Sequence, residues 1–183
     1  MNGNSSIVPT HSPANPAARA LACLALLGLA CLSMPARAGN CQLSIEADDM
    51  VQFSANVLRV DAACPEVQLT LRHVGQMAAQ MLGHDWVLAR SADVGALLNG
   101  GLAAGFDNGY LPADDPRVIA ATRVVGGGES ATITFSTDKL QPGLDYAYFC
   151  SYPGHAGMMR GRLLLVGRPR LATNRSDAAA ATP

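Results

Sequence analysis

Phe149-Cys150-Ser151-Tyr152-Pro153-Gly154-His155-Ala156-Gly157-Met158-Met159-Arg160-Gly161 is the stretch around which the rest of the chain is arranged. It follows an apolar run, Tyr146 to Phe149, and precedes another, Arg162 to Val166, so it reads as a tight loop between two strands. The loop carries a thiol (Cys150), an imidazole (His155) and a thioether (Met159), spaced C-x4-H-x3-M. A soft thiolate, a borderline nitrogen and a weak sulfur donor together suit copper, whereas zinc and iron sites have little use for a neutral thioether. One nitrogen is missing from the loop and must come from elsewhere. His84, in Leu82-Gly83-His84-Asp85-Trp86, is the best placed histidine.

Working outward, the start of the chain bears on that thiol. Ala20 to Met34 is an apolar run behind Arg19, closed by Pro35-Ala36-Arg37-Ala38-Gly39 with small residues where a signal peptidase reads. The run is short for a membrane anchor. Residues 1–38 are therefore expected to be a cleaved signal peptide, and the mature chain to be exported. Cys23 and Cys31 would leave with the leader, so Cys41, Cys64 and Cys150 remain. In an oxidising compartment two of three thiols should pair. Cys41 and Cys64 lie near the start of the domain and close a modest loop, which leaves Cys150 unpaired. A bound metal is a good reason for an odd cysteine to persist outside the cytoplasm.

All fourteen acids lie beyond Ala38 and two of the thirteen bases do not, so the mature net charge is −3. With no basic stripe and no aromatic-basic interleaving, nucleic acid is not an expected partner.

Residues 39–167 read as one domain of short strands between turn residues. Leu43 and Ile45 alternate with polar neighbours; Val51 to Val60 forms a looser second strand. Val67, Leu69 and Leu71 show the clearest two-residue period, and Trp86-Val87-Leu88 follows His84. Arg117 to Val125 is β-branched and bounded by Pro116 and the turn Gly126-Gly127-Gly128; Ile133 and Phe135 alternate with threonines. This spacing predicts an all-β, antiparallel sandwich or barrel. Ser91 to about Ala104 breaks the pattern and predicts a short external helix capped by Ser91, made irregular by Gly95, Gly100 and Gly101. Residues 168–183 are Ala-rich without apolar periodicity and are expected to be a disordered tail.

These residues carry a resemblance. The chain is similar to the azurins of the cupredoxin (type 1 blue copper) family over Cys41 to about Val166. The matching stretches are Met81-Leu82-Gly83-His84-Asp85-Trp86-Val87-Leu88, Asp114-Asp115-Pro116-Arg117-Val118-Ile119-Ala120 and Phe149-Cys150-Ser151-Tyr152-Pro153-Gly154-His155. The resemblance implies an eight-stranded Greek-key β-sandwich with one type 1 copper ion at one end. His84, Cys150 and His155 would be its equatorial ligands, Met159 a long axial one, and the Gly83 carbonyl would approach from the other side. The Cys41–Cys64 pair falls where azurins carry their disulfide. A partner-docking patch around the C-terminal histidine would comprise Met77, Met81, Leu82, Leu102, Pro153, Gly157 and Met158. Two residues beside the ligands depart from the pattern: Asp85 stands where azurins usually have Asn, and Tyr152 replaces a common Phe. An Asp lacks the amide N–H donor and adds negative charge. His73 falls at a packed histidine near the site.

The function implied is a periplasmic carrier of single electrons between redox proteins such as c-type cytochromes and terminal reductases or oxidases. It would be monomeric and without stable membrane association. A copper-binding buffer is the alternative. An enzyme with a further copper cluster is excluded by residue count, since only His73 remains to supply one.

Overall fold

The computed structural model describes residues 41–167. The expected signal peptide and C-terminal tail lie outside the described residues. Nine strand segments form two sheets: β1 (Gln42–Asp48), β2 (Gln52–Phe53), β3 (Val57–Asp61), β4 (Glu66–His73), β5 (Val87–Arg90), β6 (Ala120–Ala121), β7 (Ser130–Ser136), β8 (Tyr146–Phe149) and β9 (Arg160–Val166). One sheet has the order β2-β1-β4-β7 and the other β3-β9-β8-β5-β6. β2 and β3 are successive pieces of one stretch that changes sheets, and counting that stretch once gives the eight strands expected of a cupredoxin sandwich.

Alternation decides which face each strand buries. In β1, Leu43, Ile45 and Ala47 point inward; in β4, Val67, Leu69, Leu71 and His73 do the same. The register sets Leu43 against Leu69 and Ile45 against Leu71, so both apolar sets share one face. From the opposite sheet Leu58, Val60, Trp86, Leu88, Tyr146, Tyr148 and Leu163 complete the core. Trp86 stacks between Phe135 and Tyr148, with centroids 6.0 and 5.8 Å away.

β8 does not alternate, and the fold explains why. Its second face, with Ala147 and Phe149, packs with Val87 and Ala89 of β5 against Val94 and Leu97 of a helix. A strand buried on both faces reads as a continuous apolar run.

Three expectations about the strands need correcting. The sandwich is not wholly antiparallel, because β1 pairs parallel to β4 and β3 parallel to β9. Residues 51–60 do not form one strand, since β2 pairs with β1 in one sheet and β3 with β9 in the other. Of the β-branched stretch 117–125, only Ala120–Ala121 forms a strand, with an isolated bridge between Val125 and His84. The physical reason is visible at Thr122, whose side-chain Oγ1 takes the Trp86 N–H at 2.9 Å and so interrupts the regular ladder.

Before β5, a single helical turn, α1 (Ala79–Leu82), leads into Gly83. A Cβ at Gly83 would collide with both the Ala79 carbonyl oxygen and Val124 Cγ1, so no other residue fits this approach. The external helix α2 (Val94–Ala104) starts three residues later than Ser91, with Asp93 at its N-cap and no side-chain capping bond. Ser91 lies in the turn before the helix: the Asp93 N–H donates to the Arg90 carbonyl, and the helical ladder begins with the Leu97 N–H donating to the Asp93 carbonyl. Among the described residues no helix is long and apolar enough to cross a membrane.

Candidate metal centre

The centre is assembled where β8 and β9 are joined. β8 runs without a break into Cys150, and β9 begins immediately after Met159. The loop is closed at its base by the Cys150 N–H donating to the Met159 carbonyl at 3.0 Å. Its interior is a short 3-10 turn at His155–Gly157, entered through Gly154 at φ +84°. That left-handed conformation favours glycine. The His155 carbonyl accepts N–H bonds from both Met158 and Met159. The loop therefore has little freedom to reshape.

His84 reaches the same place from the other end of the sequence. Two backbone bonds hold it to Val125, 3.0 and 2.8 Å long. Its Nε2 lies 2.9 Å from the Asp48 carbonyl oxygen. A carbonyl only accepts, so Nε2 carries the proton and Nδ1 presents a bare lone pair. That lone pair faces inward: His84 Nδ1 is 4.0 Å and His155 Nδ1 3.6 Å from Cys150 Sγ. The three donor atoms all lie within 4.8 Å of one another, and all three residues are buried. His155 is the nearest to solvent, at 7 % exposure.

Burial sets the charge state of these groups. It pushes the His84 imidazole down to about 4 and lowers His155 as well. The Cys150 thiol is raised well above its ordinary value, by burial first and the neighbouring Asp85 charge second. Without a cation the pocket therefore holds three neutral donors. Two neutral imidazoles and a thiol that needs a positive partner to ionise form a donor set that fits a copper ion.

Asp85, fully buried, ties the two donor-bearing segments together. Its Oδ1 accepts the Ser151 N–H at 2.7 Å, and its Oδ2 lies 2.5 Å from Ser151 Oγ. Ser151 Oγ is also 2.6 Å from the Gly109 carbonyl. One hydroxyl proton cannot serve two acceptors, so the chain is complete when Asp85 carries a proton and is one proton short when the carboxyl ionises. Burial, opposed by the bonds from Ser151, pushes the carboxyl up to about 6. The residue thus bridges the segments as an acceptor in spite of lacking an amide.

The outer wall is aromatic. The Tyr152 ring stacks on the His155 ring at 4.7 Å, and Tyr110 packs edge-on to Tyr152 at 5.1 Å. On the inner side His73, fully buried, stands edge-on to His84 at 4.6 Å. Its Nε2 is 3.1 Å from Asp49 Oδ1, while its Nδ1 has no hydrogen-bond partner. It is not within the three-donor cluster, in keeping with a packing role.

Cys41 and Cys64 are disulfide-bonded, with Cα atoms 5.5 Å apart, and among the described residues Cys150 is the free cysteine. Residues 39–166 match the sequence model of the family described as copper binding proteins, plastocyanin/azurin family. The chain belongs to the plastocyanin/azurin family. Among its relatives, the azurin of Bordetella pertussis is 44% identical over 138 residues, covering 75% of this chain and 92% of that protein. The azurin of Pseudomonas aeruginosa is 41% identical over 147 residues, covering 80% and 98%. A solved structure of an azurin (Az-iso2) from the obligate methylotroph Methylomonas sp. strain J superimposes with a TM-score of 0.67 at 42% identity. It covers 69% of this chain and 98% of that one.

In this plastocyanin/azurin member, His84, Cys150 and His155 form a site suited to one copper ion. Sequence reasoning missed four contributors to it. Asp48 and Gly109 act through backbone carbonyls, which leave no side-chain signal. Ser151 is an ordinary polar residue whose position beside Cys150 was the available clue. Tyr110 is brought in by a loop that no local pattern links to the site.

Proposed function

We propose that this blue copper protein is a periplasmic carrier of single electrons, taking them from donors such as c-type cytochromes and delivering them to terminal reductases or oxidases. The observation that carries the reading is a buried His-Cys-His donor set whose members are held by backbone bonds from three separate parts of the chain. When bound, copper supplies a one-electron Cu(I)/Cu(II) couple at this position. The protein's part is to hold the His84 imidazole in its donating tautomer through the Asp48 carbonyl and to resist rearrangement when the charge changes. In this reading the Met159 thioether and the Gly83 carbonyl would join the three donors in holding the ion. Support comes from the full burial of Met159 and from its backbone bonds to Cys150 and His155. A shell filled by protein groups leaves no place for a substrate, which suits a carrier and not a catalyst.

Partners would dock over His155. Met81 (68 %), Leu102 (65 %) and Met158 (65 %) are strongly exposed, Met77 less so, Pro153 and Gly157 exposed, and Leu82 half-buried. A neutral apolar rim suits brief encounters, since little polar desolvation opposes either approach or release. Function as a monomer follows from the same need for a free rim.

The copper-loaded protein is expected to show an intense blue thiolate-to-copper charge-transfer band that Cys150→Ser abolishes. Stopped-flow mixing with a reduced c-type cytochrome should then bleach it. A colourless loaded protein, or a band that survives Cys150→Ser, would refute the assignment.

A further inference from the structure

Tyr152 joins the two segments that supply the candidate donors. Its hydroxyl donates to the Gln80 carbonyl at 2.7 Å, and Gln80 lies in α1, immediately before Gly83 and His84. Its ring lies nearly parallel to the His155 imidazole, 24° from coplanar, and its carbonyl accepts the His155 N–H at 3.0 Å. Tyr110 closes the far side of the ring. Two cross-links thus connect the Cys150–Met159 loop to the segment carrying His84: a buried one, Asp85 to Ser151, and an outer one, Tyr152 to Gln80. The outer one lies on the side of His155, the donor nearest solvent.

We infer that the Tyr152 hydroxyl is a latch that holds the His155 imidazole in its donating position and so governs how fast metal leaves the site. The inference rests on the copper reading above and adds a positioning residue to it. A phenylalanine would keep the ring and its stack but could not reach across to Gln80. The loop keeps its internal bonds but is then tied to the His84 segment by the buried cross-link alone, and it shifts against that segment as a unit, carrying His155 away from its donating position more often.

The test uses a matched pair of hydroxyl deletions. Tyr148 also donates its hydroxyl to a backbone carbonyl, that of Ala55, at the same 2.7 Å, but it packs in the core against Trp86 and Phe53. Copper-loaded wild type, Tyr152→Phe and Tyr148→Phe are mixed with excess EDTA and loss of the blue band is followed. One net hydrogen bond corresponds to a factor of about three to ten, so Tyr152→Phe should release copper that much faster, and Tyr148→Phe at the wild-type rate. In the metal-free proteins the His155 ring resonances should broaden in Tyr152→Phe alone. Equal release rates in all three proteins with unchanged His155 resonances would overturn the latch, as would equal acceleration by both substitutions. If no blue band forms at all, the copper reading fails, and the ring resonances of the metal-free proteins still decide the latch.

Discussion

A buried carboxylate beside a candidate metal donor is costly, and Asp85 shows how the cost depends on pH. Its folded pKa, about 6, lies above the ordinary 3.8, so the folded state holds this proton more tightly than the unfolded chain does. The contribution to stability is complete below pH 3.8 and is lost as pH rises through 6. The loss is about 3 kcal/mol at 1.36 kcal/mol per unit. His84 works in the opposite sense. Its imidazole is depressed from 6.5 to about 4, so stability is lost as pH falls through that interval. In the metal-free protein the two groups oppose each other between about pH 4 and 6. Asn at position 85 could donate its amide to Ser151 Oγ, leaving that hydroxyl to serve Gly109 without any titration. Urea melts of metal-free wild type and Asp85→Asn should therefore diverge by about 2 kcal/mol between pH 4 and pH 7.5, with the variant the more stable at the higher pH. A gap that does not change with pH would contradict the assigned charge state. In the loaded protein the ionised carboxylate should lower the reduction potential relative to Asp85→Asn, and equal potentials across pH would remove that electrostatic role.

At the level of elements, α2 separates glycines that the packing requires from one that it does not. A Cβ at Gly101 would run into the Tyr110 carbonyl oxygen, so this glycine lets the 110–112 segment pass directly over the helix. Gly95 is exposed, and a Cβ there would meet nothing within 4 Å. Gly95→Ala should stabilise the protein by about 0.5–1 kcal/mol through helix propensity, while Gly101→Ala should destabilise it. Thermal melts with the same sign for both would refute this account. The same helix shows where sequence is legible. Strands β1, β4 and β7 are readable from strict alternation because one face of their sheet is left to solvent. β8 is readable only as an apolar run, since α2 covers its second face. The paired part of 117–125 is not readable, because a threonine hydroxyl replaces a ladder bond there and residue type says nothing of that choice. The candidate donors that the fold brings together, His84, Cys150 and His155, stood out in the sequence because a thiol and imidazoles at fixed spacing are chemically distinctive. Their supports at Asp48 and Gly109 were not, being plain carbonyls whose use depends on tertiary approach.

Across the whole molecule, β1 acts as a strut between two kinds of covalent or coordinate chemistry. Cys41 stands at its start, bonded to Cys64, and Asp48 at its end accepts the His84 ring proton. At about 3.3 Å per residue the strand sets these points about 23 Å apart. The disulfide closes a loop with a sequence separation of 23, for which unfolded-state entropy alone gives about 3 kcal/mol. Its effect should be global and not local, because the Gln42–Ala47 pairing with β4 holds Asp48 in place whether or not the sulfurs are joined. Both cysteines must be replaced together, since a single change would leave a thiol free to capture Cys150. The double variant Cys41→Ser/Cys64→Ser is expected to lose about 3 kcal/mol in urea unfolding while its blue band keeps its wavelength and intensity. A shifted or weakened band would mean that the strut transmits strain to His84, and an unchanged midpoint would mean that the crosslink constrains the unfolded chain far less than its loop length implies.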